Sequence, residues 1–225
     1  MDTKEIFWPH ELPGHTKVLL QHLATTRSFE PGEFFLMGRG IDNGYCYLRQ
    51  GLMVLGIDGV ATSSPFAIFK AGDWFGGTTL NGDPDFIYRI GAIEPSSLLF
   101  IPDQSLRDAA IADSDIYKLL YLTSATHANN AIDLLFAATS LSLPQKIAYF
   151  LYKISKRFPQ VEGAKPAISM SQATLAQLLG LSRLTLNQQL QILEQNGVIS
   201  VARKKVYILN LAALENLAGI GKPTA

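Results

Sequence analysis

The stretch from Ser171 to Leu209 restricts the fold more than any other part of the chain. Ser171 is placed to cap a short helix carrying Leu175, Leu178 and Leu179. Gly180 follows, and glycine enters the left-handed region without a Cβ clash, so a tight turn is expected there. After Leu181, Ser182 caps a second helix in which Leu186, Leu190 and Leu193, at spacings of four and three, share one inward face. Arg183, Leu184, Asn187, Gln188 and Gln191 are then left facing outward, and Gly197 ends the helix. Val198-Ile199-Ser200-Val201 and Val206-Tyr207-Ile208-Leu209 are predicted strands around a basic tip, Arg203-Lys204-Lys205. Two capped helices joined through one glycine and closed by a hairpin make a winged helix-turn-helix. The competing reading is a helical hairpin that packs another element.

The chemistry of this module points to double-stranded DNA. A second helix of this kind enters the major groove with its N-terminal end first. Arg183 offers two parallel donors to a guanine edge and Gln188 a donor–acceptor pair to adenine. The hydroxyls of Ser171, Ser182 and Thr185 and the amide of Asn187 suit phosphate or base contacts. Arg203, Lys204 and Lys205 suit phosphates, which adds affinity more than specificity. Charge placement agrees. The chain is neutral overall, but residues 1–141 hold 9 Lys/Arg against 16 Asp/Glu, and residues 142–210 hold 9 against Glu162 and Glu194. A basic module behind an acidic body is the footprint of a nucleic-acid binder, although such clustering also arises on solvated faces.

The rest of the chain reads in three parts. Residues 15–27 carry Val18, Leu19, Leu20 and Leu23 at the spacing of a short amphipathic helix. From Phe29 to Pro102, short apolar runs at 34–37, 45–48, 53–57, 66–69 and 98–101 alternate with Gly, Pro, Asn and Asp turns, the pattern of a barrel or sandwich. Asp115–Ala138 lacks Gly and Pro and predicts a long helix. Ile116, Thr123, Asn130 and Ala137 recur every seven residues beside Leu120, His127 and Leu134, which is coiled-coil spacing and predicts a homodimer; the alternative is a helix packed on its own barrel. Ser142, Pro144 and Gln145 form a capped entry to a further helix bearing Ile147, Phe150, Leu151 and Ile154. The expected fold class is α+β. It comprises an N-terminal β-roll or jelly-roll barrel over 1–114, a dimerisation helix over 115–139 and a winged helix-turn-helix over 140–225.

These motifs resemble the Crp–Fnr superfamily of transcription regulators. Leu179-Gly180-Leu181-Ser182-Arg183 and Gly197-Val198-Ile199-Ser200 match its helix-turn-helix signature. Pro31-Gly32-Glu33, Tyr47-Leu48-Arg49-Gln50-Gly51 and Ala71-Gly72-Asp73-Trp74-Phe75-Gly76 match the frame of its cyclic-nucleotide-binding roll. The resemblance covers roughly residues 15–220 and implies a sensor barrel, a dimer on a near-palindromic DNA site, and contact with RNA polymerase. It places Arg183, Leu184 and Gln188 at the base-reading positions. The family often has an acidic residue where Leu184 stands and an arginine where Gln188 stands, and Leu184 suits a thymine methyl.

In the barrel the resemblance implies an effector pocket at Trp74, Phe75, Gly76, Gly77, Thr78, Phe86, Ile87 and Arg89, approached from the long helix by His127, Asn130 and Ala131. Cyclic-nucleotide binders need a carboxylate for the ribose and an Arg–Ser or Arg–Thr pair for the phosphate. Gly77 stands at the carboxylate position and Phe86-Ile87 at the pair. The expectation is therefore loss of cyclic-AMP binding and an unknown effector, the alternative being a cyclic-nucleotide-gated regulator that uses Arg89. Trp74, Phe75, Phe86 and Tyr88 are candidates for an apolar pocket or for ordinary barrel core.

Other classes find little support in the residues. Cys46 is the single cysteine, so one chain cannot assemble a cysteine-ligated iron–sulfur or zinc cluster. No histidine falls between residues 23 and 126, which leaves a cupin-type metal enzyme without ligands in the barrel. His10, His15, His22 and His127 are the only histidines open to haem. No catalytic motif is found, so no enzyme and no cofactor is expected. A charged N-terminus and the lack of a long apolar run predict a cytoplasmic protein without a membrane partner.

Overall fold

Two four-stranded antiparallel sheets face each other across a core built by simple alternation. The computed structural model describes residues 6–39, 41, 43–59, 67–77, 85–156 and 166–220. The chain opens with α1 (Gly14–Leu23) and then forms β1 (Thr25–Phe29), β2 (Phe34–Gly38), β3 (Gly44–Gln50), β4 (Leu52–Ile57), β5 (Ala67–Lys70), β6 (Trp74–Gly76), β7 (Ile87–Ala92) and β8 (Ser96–Pro102). Their orders are β1-β8-β3-β6 and β2-β7-β4-β5. Cys46 and Leu48 of β3, Phe75 of β6 and Leu98 and Phe100 of β8 point inward. They meet Met37 of β2, Met53 of β4, Phe69 of β5 and Ile90 and Ala92 of β7. Successive strand residues face opposite sides, so Tyr45, Tyr47, Trp74 and Ile101 lie on the other face of the first sheet. There they form a second core with Leu20, Leu106, Ala109 and Ala110, and with Ile116 and Leu119. These belong to α1, to α2 (Asp103–Ala112) and to the start of α3 (Asp115–Ser140).

Several elements depart from the expected pattern, α1, α2 and β5 among them. The first helix stops at Leu23 rather than residue 27, because Ala24 turns extended and the β-branched Thr25 and Thr26 pair with Phe100 and Leu99 of β8. Helix α2 lacks an obvious apolar stripe, since its buried positions are Asp103, Leu106, Ala109 and Ala110. The strand expected at 66–69 begins at Ala67; Phe66 lies outside the described residues.

By internal contacts the chain divides into Met1–Ala131 and Ile132–Ala225. The long helix α3, which includes the expected 115–139 piece, thus has its first part in one unit and its last turns in the other. The second unit continues with α4 (Leu143–Ser155), β9 (Ala167–Ile168), α5 (Gln172–Leu179), α6 (Arg183–Gln195), β10 (Ile199–Ala202), β11 (Lys205–Ile208) and α7 (Leu211–Leu217). The Gln145 side chain accepts the Ser142 N–H at 3.0 Å, as a capping box requires. Ile147, Ala148, Leu151 and Ile154 are buried on the inward face of α4, and Tyr152 donates to Glu215 of α7 at 2.7 Å. Lys153 of α4 pairs with Asp133 at 2.5 Å, and Lys146 donates to the Ala138 carbonyl, so the last turns of α3 are held by α4.

Candidate nucleic-acid interface

Caps and turns position α5 and α6. The Ser171 hydroxyl accepts the Thr174 N–H at 3.0 Å, and Ser182 accepts that of Thr185 at 3.0 Å. Each cap oxygen also lies 2.8 Å from a threonine hydroxyl, Ser171 from Thr174 and Ser182 from Thr185, so each pair uses one hydroxyl proton internally and keeps the other for an outside acceptor. Gly180 adopts φ 62° and ψ 31°, and Leu181 N–H returns to the Ala176 carbonyl at 2.9 Å. Leu186, Leu190 and Leu193 are buried, as their spacing requires. Gly197, at φ 68°, lets Val198 N–H reach Leu193 at 2.9 Å and close the helix. Strands β10 and β11 pair from Ile199↔Ile208 to Ala202↔Lys205, so Arg203 and Lys204 form the hairpin tip and Lys205 starts the return strand. Lys204 sits at φ 59°, a rare conformation for a side chain of that size. The short strand β9, not foreseen in the sequence, adds a third strand beside β11.

These elements enclose a groove of about 420 Å³ lined by Ser171, Gln172, Ala173, Arg183, Val201, Ala202, Arg203 and Lys204. Three basic side chains therefore flank the N-terminus of α5, whose first N–H groups add positive potential, and no carboxylate of the described residues belongs to the lining. Gln172 and Ala173 were not singled out in the sequence; the helix-start position after Ser171 was the available signal. Leu184 and Gln188 are exposed on α6, Leu184 at 70%, and Lys205 is exposed beside the groove. Thr185 is half-buried. Asn187, expected to face outward, is also half-buried, and its Oδ1 is covered without a hydrogen-bond partner among the described residues. It lies one residue after the buried Leu186 and three before Leu190, at the edge of the packed face rather than opposite it.

Among the described residues, the side chains expected around an effector lie on different faces of the barrel, with only His127 reaching the Trp74 backbone and, through Phe69, the neighbourhood of Phe75. Phe75 is inside, stacked on Phe69 at 4.1 Å. Trp74 is on the opposite face of its sheet, packed between Trp8, Tyr45 and Tyr47. Arg89 lies on the outer face of β7, since Tyr88 and Ile90 on either side belong to the core, and its guanidinium stacks over Phe34 at 3.6 Å. Phe86 is exposed and Ile87 half-buried. Gly76 and Gly77 both have positive φ, and Gly76 allows the Gly44 carbonyl a close approach. Thr78 lies outside the described residues. His127 donates its Nε2 proton to the Trp74 carbonyl at 2.8 Å and meets Phe69 edge-on. Asn130 is half-buried and Ala131 exposed. Cys46 is fully buried, and burial pushes its thiol well above the ordinary range.

The long helix corrects the expected seam. Ile116 and Thr123 face the chain's own barrel, where the Tyr45 hydroxyl meets that of Thr123 at 2.6 Å, and Ala137 is buried in the second unit. The uncovered stripe lies one position on: Tyr117, Tyr121, Ser124, Ala128, Ala131 and Leu135 are all exposed. Their intervals of four and three are those of a heptad seam.

Residues 145–217 match the Crp-like helix-turn-helix domain family. The chain is 27% identical over 161 residues to the fumarate and nitrate reduction regulatory protein of Vibrio cholerae, covering 69% of this chain and 63% of that protein. It is 25% identical over 131 residues to the Escherichia coli K12 protein of the same name, covering 57% and 52%. The match thus spans less than two thirds of these relatives' length. In fold the chain is similar to FixK2 from Bradyrhizobium japonicum, with TM-score 0.74, 21% identity and coverage of 86% and 96%. It is also similar to a mutant of CooA from Carboxydothermus hydrogenoformans, with TM-score 0.73, 13% identity and coverage of 96% and 97%.

Proposed function

We infer that the chain is a DNA-binding transcription regulator of the Crp–Fnr superfamily, acting as a homodimer through α3 and carrying a barrel that does not take cyclic AMP. The groove shared by α5, α6 and the wing is the observation that carries the DNA-binding reading. It gathers Arg183, Arg203 and Lys204 around a helix N-terminus, beside the exposed face of α6. The wing and the α5 N-terminus hold phosphates and so set the register of α6 in the major groove. The proposal for the dimer rests on the stripe from Tyr117 to Leu135. The two α6 helices of a dimer meet successive major grooves about 34 Å apart, which calls for a near-palindromic site. RNA polymerase is the further partner this reading implies.

Three features favour a barrel without cyclic AMP. Arg89 is engaged with Phe34 on the outer face, Gly77 offers no carboxylate, and Phe69, Phe75 and Met53 occupy the interior among the described residues. A buried phosphate with no cation would carry a prohibitive desolvation cost. Calorimetric titration with cyclic AMP and cyclic GMP tests this: no heat is expected, and micromolar binding would reinstate Arg89 as the phosphate ligand.

The DNA-binding reading is tested by Lys204→Glu with Lys205→Glu. The pair should weaken binding to every duplex and flatten the dependence of log K on log salt by about two units of slope. Unchanged affinity would overturn the assignment.

A further inference from the structure

Helix α6 presents an uncharged reading face. At 100° per residue, Leu184, Gln188, Gln191 and Gln195 form one stripe opposite the buried Leu186, Leu190 and Leu193, and all four are exposed. Arg183 stands off this stripe, in the groove beside Arg203 and Lys204. Glu194, the only acid on the helix, spends its carboxylate on the Val201 N–H at 2.7 Å. Asn187 is drawn toward the packed side, with its Oδ1 covered.

In the major groove each base pair asks for a particular side chain. Guanine takes the paired donors of Arg or Lys, and cytosine's amino group takes a carboxylate. Adenine takes the donor–acceptor amide of Gln or Asn, and the thymine methyl takes an apolar contact. The stripe contains nothing from the first pair of classes and only members of the second. Leu184 is the sharper of the two signals. It is 70% exposed, and a leucine left in water gains from any apolar surface that covers it.

We propose that the protein selects half-sites in which the base pairs under Leu184 and Gln188 are A·T, with G·C reading left to Arg183 at the helix start. This rests on the DNA-binding reading above and specifies its substrate.

The test uses the full-length protein and a duplex library with two randomised, inverted half-sites, bound at low salt and sequenced after selection. A·T should be enriched at two positions of each half-site. Gln188→Arg should convert one of them to G·C, and Leu184→Glu the other, each with a swing of about ten-fold in relative affinity. Both substitutions are on exposed positions, and the readout is preference among sequences, so a general change in affinity does not interfere. Enrichment of G·C at these positions by the unaltered protein, or variants that keep its preferences, would overturn the proposal. Binding with no sequence preference would also overturn it while leaving the DNA-binding reading intact. Failure to bind any duplex would overturn that reading itself.

Discussion

At Tyr45 one hydroxyl joins barrel and helix. The ring stacks on Trp74 at 5.0 Å, and the buried hydroxyl meets Thr123 of α3 at 2.6 Å. Tyr45→Phe leaves the packing and strands the Thr123 hydroxyl, so a loss of about 1–2 kcal/mol is expected in urea unfolding. A loss near zero would mean that Thr123 finds another acceptor. His10 makes a pH prediction. Its ring nitrogens are covered and, among the described residues, without hydrogen-bond partners, and burial, assisted by Lys118 against Asp115, pushes its pKa below the usual 6.5. The neutral imidazole is therefore the form that the fold prefers. Below pH 6.5 the unfolded chain takes up a proton more readily than the folded one, so this part of the stability is whole above that pH and lost as pH falls. The urea midpoint should drop between about pH 7.5 and about pH 5.5 by more in the natural protein than in His10→Gln. Equal drops would remove His10 as the cause.

At the scale of elements, the recognition module depends on one turn. Gly180 holds φ 62° between α5 and α6, and a side chain there costs about 1 kcal/mol or more. Gly180→Ala should lower stability by that amount in urea unfolding and weaken DNA binding alongside, while an unaltered midpoint would mean that the turn relaxes elsewhere. This module was also the part most legible in the sequence. Its signals are local: Ser171 and Ser182 cap, Gly180 turns, and Leu186, Leu190 and Leu193 mark the buried face. The barrel was read only in outline. Strands β6 and β7 hide in runs where both faces are apolar or a glycine interrupts, and the helical reading of residues 15–27 runs over the start of β1 at Thr25. The side that Arg89 faces was hidden for a related reason. Alignment placed Arg89 near the cassette, but the side it faces is set by strand parity, and parity follows from pairing with Leu36 and Gly56 far away in sequence.

At the scale of the whole molecule, α3 has two apolar faces and one chain covers only one of them. Ile116, Leu119 and Thr123 are spent on the barrel, so the periodicity at 116, 123, 130 and 137 marked self-packing rather than a partner. Sequence periodicity cannot separate two seams on one helix when both are spaced by sevens; only burial does. The second stripe leaves Tyr117, Tyr121 and Leu135 at 55%, 70% and 64% exposure, with Ser124 and Ala128 between them small enough for close helix approach. A helix of 26 residues is about 39 Å long, and burying such a stripe against its copy is a large apolar gain for little added ordering. The unaltered protein should therefore sediment at twice its 24.6 kDa chain mass at about 10 μM, a concentration at which an affinity of about −8 kcal/mol already favours the dimer. Tyr121→Arg places two like charges near the axis of the seam and should yield a monomer with intact far-ultraviolet circular dichroism. Its affinity for one half-site should persist, whereas the gain from a second, inverted half-site, which depends on linkage between the two modules, should vanish. A natural protein that sediments as a monomer, or a Tyr121→Arg variant that keeps the two-site gain, would place the partner surface elsewhere than on this stripe.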